Sequence, residues 1–195
     1  MRTQIRIVAG KLRGRKITCT VTPELRPTPQ MVREAFFSIL GNAIPDRVFV
    51  DIFAGTGVIG MEALSRGAAS TLFIERDPDL AKGIESHLRQ FDLTRRTKLY
   101  RTDAYRWAAA WIAPKTPVNI FFSPPFVDLT NKTSDLLEAV RVLQEKVAED
   151  SVITVQTERG SPLDQELRDW EVRTYGRNEL LIWQRPITCV HKPDV

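Results

Sequence analysis

A chain of 195 residues, 43% apolar and 27% charged, is long enough for one well-buried core with a small appendage and too ordinary in composition to be disordered or fibrous. Two cysteines, Cys19 and Cys189, exclude a disulfide framework and a paired-cysteine metal site, and they fit a reducing cytoplasm. The net charge of +4 is uneven: residues 1–35 carry eight cations against Glu24 and Glu34, a net of +6 on a near-neutral remainder, which points to a polyanionic partner such as nucleic acid.

The first element is "QIRIVAGKLRGRKIT", where apolar and basic residues alternate around Gly10 and Gly14. This predicts a twisted hairpin with a cationic face, and it offers Arg6, Lys11, Arg13, Arg15 and Lys16 for phosphate contact. The alternation of Ile5 and Ile7 with Arg6 fits neither a signal peptide nor an anchor, and no run approaches the roughly 18 apolar residues of a membrane span. In "LRPTPQMVREAFFSILG" Thr28 can cap a helix whose first residue is Pro29 and whose end is Gly41. Met31, Val32, Ala35, Phe36, Ile39 and Leu40 would form its apolar stripe. Arg26 and Arg33 flank its start as further candidate RNA or cofactor-loop contacts.

From residue 47 strand-like and helix-like runs alternate, the pattern of a parallel sheet covered on both faces. Strands are predicted near 47–53, 70–75, 97–101, 118–123 and 151–157, and helices near 58–66, 77–91, 104–111 and 133–148. Residues 170–185 hold two strand-like runs around Gly176 with no room for a helix, so an antiparallel hairpin should close the sheet. The expected organisation is a basic extension over 1–42, one α/β domain over 43–187 and a loose tail over 188–195.

Gly55, Gly57 and Gly60 in "DIFAGTGVIG" satisfy G-x-G-x-x-G between a predicted strand and helix, which alone would fit a nicotinamide or flavin dinucleotide. Asp51, Glu75 and Asp103 end three successive strands on the side where open α/β sheets bind ligands. A rim so acidic disfavours a pyrophosphate and suits a ligand with an amine at one end and ribose hydroxyls at the other. In these residues the chain resembles the Rossmann-like S-adenosylmethionine-dependent methyltransferases, whose first motif reads D-x-F/C-x-G-x-G. The resemblance implies S-adenosylmethionine as cofactor, held by Asp51, Phe53, Ala54, Gly55, Thr56 and Gly57, by Glu75 and Arg76 at the ribose and by Asp103 and Ala104 near the adenine.

"FFSPPF" then ends the fourth predicted strand in a rigid corner, since neither proline donates a backbone hydrogen bond. It resembles the [N/D/S]-PP-[Y/F] motif of enzymes that methylate exocyclic amines of nucleobases or amide nitrogens. The lone pair of such an amine is delocalised, and acceptors that hold its N–H groups out of plane restore its nucleophilicity. Ser123 and the Pro124 carbonyl can be those acceptors, Pro125 keeps them fixed, and Phe126 can stack on the base. A base reaches such a pocket only when unstacked.

Taken together, "RIVAGKLRGRKI", "LRPTPQMVREAFFSIL", "VDIFAGTGVIGMEALSRGA", "FIERD", "FFSPPF" and the terminal "YGRNELLIWQR" resemble the RsmD-type bacterial methyltransferases of 16S ribosomal RNA. That resemblance implies a Rossmann-like seven-stranded sheet with a small N-terminal hairpin and helix, and methylation of a guanine 2-amino group. It also implies a cytoplasmic monomer acting on 16S RNA or a small-subunit assembly particle, with no metal and no membrane. Position 123 departs from it, because Ser stands where Asp or Asn is usual. That leaves a DNA amino-methyltransferase and a weakly catalytic, cofactor-binding assembly factor as competing readings.

Overall fold

Strands and helices alternate from Val48 onward in the computed structural model, which describes residues 2–20 and 27–188. Arg26 and almost all of the predicted tail, Cys189 included, lie outside the described residues. The N-terminal hairpin pairs β1 (Arg2–Arg6) with β2 (Lys16–Thr20), and α1 (Gln30–Leu40) follows. Then come β3 (Val48–Ile52), α2 (Val58–Ser65), β4 (Ser70–Ile74), α3 (Pro78–Gln90), β5 (Thr97–Tyr100), α4 (Ala104–Ala110) and β6 (Val118–Phe122). The chain continues through α5 (Phe126–Asn131), α6 (Thr133–Lys146), β7 (Val152–Glu158), α7 (Pro162–Glu166), β8 (Glu171–Tyr175) and β9 (Asn178–Gln184).

The seven later strands form one sheet in the order β5-β4-β3-β6-β7-β9-β8, parallel from β5 to β7, with β9 antiparallel to both of its neighbours. Side chains alternate between two cores, as strand geometry requires. Phe49, Phe73 and Phe121 pack with α1, α2, α3 and the hairpin, while Val50, Ile52, Ile120 and Phe122 pack with α4, α6 and α7 on the other face. From β3 the chain winds outward through β4 and β5, then returns to lay β6 against the other edge of β3. The crevice between β3 and β6 is therefore the topological switch point, where such folds bind ligands. The Ser123 amide donates to the Ile52 carbonyl (3.2 Å) and ties the two strand ends together.

The predicted strands and the closing hairpin are present, and three expectations need correction. Thr28 does not cap α1: Pro29 is the N-cap, and the Thr28 hydroxyl donates instead to the Gln156 side chain (2.8 Å). The buried face of α1 is Val32, Arg33, Phe36, Phe37 and Leu40, whereas Met31 is 59% exposed and Ile39 lies at the surface. Two short helices were also not anticipated. Pro125 leads directly into α5, and Ser161 caps α7 by accepting from the Leu163 amide (3.2 Å) ahead of Pro162.

Candidate active site

The cleft at the switch point has a volume of about 390 Å³ and is lined from β3, β4, β6, β7 and the lead-in to α1. On one side stands Asp51, 2% exposed, whose Oδ2 accepts the Gly60 amide (2.9 Å). Burial, reinforced by the nearby Glu75 carboxylate and opposed by the Gly60 bond, pushes Asp51 up to about 8. Glu75, at the end of β4, accepts the Gly55 amide on Oε2 (2.7 Å) and the Asp77 amide on Oε1 (2.8 Å). Burial raises it above the usual carboxylate range despite those bonds. Each oxygen keeps a second lone pair for a ligand hydroxyl. A buried carboxyl that one backbone amide leaves short of compensation, beside a second one with free lone pairs, fits a ligand bearing a cationic amine and a ribose diol.

The glycine loop is folded by close approach. Gly57 has φ +72°, and Gly60 lies so near β4 that a Cβ would come within 2.3 Å of the Phe73 ring. Phe53 adopts φ +60° without being glycine, a conformation that costs on the order of 1–3 kcal/mol and concentrates at working sites. Its ring meets Phe122 (5.2 Å) and Tyr105 (5.7 Å) edge-on. Of the residues expected to hold the cofactor, Asp51, Phe53, Ala54, Gly55, Thr56, Glu75, Arg76 and Ala104 line the cleft. Asp103 does not: its Oδ1 caps α4 by accepting the Tyr105 and Arg106 amides (3.1 Å each), and its neighbours Thr102 and Ala104 face the ligand space. Gly57 serves as the N-cap of α2 and also lies outside the lining.

Across the cleft stand Ser123, Pro124, Pro125 and Phe126, the last 38% exposed at the mouth. The Ser123 hydroxyl donates to Gln156 Oε1 (3.3 Å), the oxygen that also accepts Thr28, and Gln156 Nε2 donates to Asn178 Oδ1 (2.9 Å). With its proton committed to Gln156, the Ser123 oxygen presents only lone pairs to the cleft, the state an amine N–H requires. Gln156 and Thr28 are both buried and both line the cleft; the sequence singles out Thr28 only as a helix cap and Gln156 not at all, because nothing in "VQT" or "PTP" marks a residue that works through a neighbour. Behind the corner, the Tyr105 hydroxyl donates to Asp128 Oδ2 (2.9 Å), so α5 is held against α4. Burial and that carboxylate push the Tyr105 phenol well above its usual range.

The basic residues divide. Arg6, Lys11, Arg13, Arg15 and Lys16 are exposed on the hairpin. Arg33 is 2% exposed and is corrected from a candidate RNA contact to a structural one. Its guanidinium donates to the Thr28 carbonyl (2.8 Å) and the Arg6 carbonyl (2.9 Å) and pairs with the fully buried Glu62 (3.4 Å), and burial lowers its affinity for its proton. It thereby joins hairpin, α2 and the Thr28 wall of the cleft. Among the described residues there is no helix long and apolar enough to cross a membrane and no cluster of metal-ligating side chains.

A family model described as "Conserved hypothetical protein 95" matches residues 5–184. The chain is 34% identical over 189 residues to ribosomal RNA small subunit methyltransferase D of Escherichia coli strain K12, covering 93% of this chain and 90% of that one. Among solved structures, the Escherichia coli protein yhhF superposes with a TM-score of 0.76 at 29% identity, over 95% of this chain and all of that one. An RNA methyltransferase from Salinibacter ruber in complex with S-adenosyl-L-homocysteine shares the fold, with a TM-score of 0.58 at 16% identity over 87% of this chain and all of that one.

Proposed function

The chain belongs to the Conserved hypothetical protein 95 family and is homologous to ribosomal RNA small subunit methyltransferase D, and on that premise we propose that it methylates the exocyclic 2-amino group of a guanine in 16S ribosomal RNA. It is an S-adenosylmethionine-dependent methyltransferase, and in this reading it acts in the cytoplasm as a monomer on the RNA or on a small-subunit particle. The observation that carries the reading is one cleft in which the buried Asp51 and Glu75 face the Ser-Pro-Pro-Phe corner.

When bound, the cofactor supplies a sulfonium-activated methyl group. Asp51 would hold its amine end and be ionised by it, Glu75 would take the ribose hydroxyls, and the Gly55 to Gly57 backbone would let the ligand lie close. Phe126 stacks on the unstacked base at the mouth. Ser123 Oγ and the Pro124 carbonyl accept the two N–H groups of the amine, turn its lone pair out of the ring plane and receive positive charge as it develops. Serine does this without a negative charge, so the fixed orientation of Oγ through Gln156 carries more of the effect than it would for a carboxylate. The spare proton of the methylated amine leaves through the open mouth to solvent.

The test is the nucleoside inventory of small-subunit RNA from cells lacking the protein, read by mass spectrometry. Loss of one N2-methylguanosine, restored by the wild-type gene and not by Asp51→Ala, is expected. An unchanged inventory would contradict the reading.

A further inference from the structure

The hairpin turn does not sit at the cleft. The Lys11 amide donates to the Ser65 carbonyl (2.8 Å), the Leu12 amide to the Ser65 hydroxyl (2.8 Å), and that hydroxyl to the Ala9 carbonyl (2.5 Å). Ser65 ends α2, a helix that starts at the glycine loop and runs back against the strands, so the turn is fixed at the amino-terminal edge of the sheet. Helix α3 begins beside Glu75 and runs the same way over 13 residues, which sets its ends about 20 Å apart. Phe91, at its far end, lies under Arg15, with the guanidinium carbon 5.9 Å from the ring centre. Next to that contact along the chain stand Arg89 in the last turn of α3 and Arg95 and Arg96 in the 3-10 turn Thr94–Arg96, all exposed, whereas Lys98 in β5 turns to the other face of the sheet, its Nζ 4.7 Å from the Tyr100 ring centre. Arg96 also donates to the Ala68 carbonyl (3.4 Å), which anchors this turn beside the end of α2.

Within residues 89–98 Asp92 is the one acid, and residues 7–16 contain none. Among the described residues none of Arg13, Arg15, Lys16, Arg89, Arg95 and Arg96 has an ion-pair partner, whereas Arg101 pairs with Glu85 midway along α3, and Arg47, Arg141 and Arg173 elsewhere are paired as well. The carboxyl end of α3 accounts for a cation at Arg89. It does nothing for the others, whose mutual repulsion needs a counter-charge. None of the exposed large apolar side chains falls in residues 7–16 or 89–98, so the surface offers charge without the insertion a bilayer would reward.

We propose that this foot of the domain is a second RNA-binding surface, in which the hairpin turn together with Arg89, Arg95 and Arg96 grips phosphates about 20 Å from the methyl-transfer cleft. The choice of RNA over another polyanion rests on the methyltransferase reading. The consequence is a substrate class: an RNA long enough to reach from cleft to foot, some six base pairs or more of duplex at roughly 3 Å of rise each, and not a dinucleotide.

The test measures fluorescence anisotropy of a 20-base-pair RNA duplex and of a dinucleotide, over a range of salt, with the intact protein. Arg89→Ala/Arg95→Ala, which leaves the Arg96 anchor in place, is expected to weaken duplex binding about tenfold and to lower its salt slope by about two, and the added Arg96→Ala by about one more. Dinucleotide binding should be unaffected, as should duplex binding by the control pair Arg141→Ala/Arg173→Ala, and S-adenosylhomocysteine should protect every variant against heat to the same degree as the wild type. An unchanged duplex slope in the double variant would overturn the proposal, as would binding to phosphatidylserine vesicles in preference to the duplex. If the wild type methylates no RNA while the slopes still change, the methyl-transfer reading fails and the surface stands.

Discussion

At the carboxyl edge of the sheet Asp51 and Glu75 are buried and tied to backbone amides, whereas at the amino edge the cations of the hairpin turn and of residues 89–98 stand in solvent without acid partners among the described residues. The two edges recognise by different physics. A buried carboxyl next to a fixed loop discriminates by geometry, because an ill-fitting ligand leaves it short of a partner in a low-dielectric site. Exposed cations attract any phosphate chain over several ångströms and lose that attraction to salt. One protein can thus be exacting about its small ligand and tolerant of sequence in its large one.

Substitutions that break one edge should leave the other intact. The largest effect is expected from Asp51→Ala, which removes the partner of the Gly60 amide and, in the proposed reading, of the cofactor amine. Titration calorimetry with S-adenosylhomocysteine should find affinity lower by about a hundredfold, in the range of a lost charge-assisted bond, with RNA-duplex binding unchanged. Next comes the Ser123 orientation. Ser123→Ala and Gln156→Leu should each lower kcat by about tenfold to a hundredfold with the cofactor KM preserved, and the double variant should lose no more than the worse single one. Gln156→Glu, which keeps the accepting oxygen, should recover part of the rate. A fully additive pair would mean that Gln156 does not act through Ser123.

Gly60→Ala should destabilise the fold by about 1–3 kcal/mol, read as a lower Tm, because the new methyl meets the Phe73 ring. The smallest effect is the pH dependence. In the ligand-free protein Asp51 titrates near 8 against an ordinary 3.8, so the folded state holds a proton that the unfolded chain has given up. Stability from this group is therefore present below about pH 4 and declines as pH rises to about 8, and Glu75 adds a change of the same sign. The Tm of Asp51→Asn minus that of wild type should grow by a few degrees between pH 5 and 8.5. Saturating cofactor should flatten the wild-type slope, because in the proposed reading its amine ionises Asp51.

The chain order of the fold was legible because its strands are continuous apolar runs and its helices carry regular stripes. The cleft was legible where chemistry is local, in Asp51, the glycine loop, Glu75 and the Ser-Pro-Pro-Phe corner. What escaped was long-range: the Thr28 hydroxyl reaches Gln156, 128 residues away, instead of capping its own helix, and Arg33 is spent inside the fold. A basic residue near a helix start looks the same in sequence whether it meets RNA or the buried Glu62. The hairpin cations were identified as a charged set, but their distance from the cleft depends on Ser65 holding the turn at the opposite edge. No periodicity encodes that contact.

The most direct test combines the purified protein and methyl-labelled S-adenosylmethionine with small-subunit particles from cells lacking the protein, with the stripped RNA and, separately, with duplex DNA. The account predicts label in RNA, recovered as N2-methylguanosine at a single position and abolished by Asp51→Ala. Label in DNA alone, or none in RNA under any condition, would contradict it.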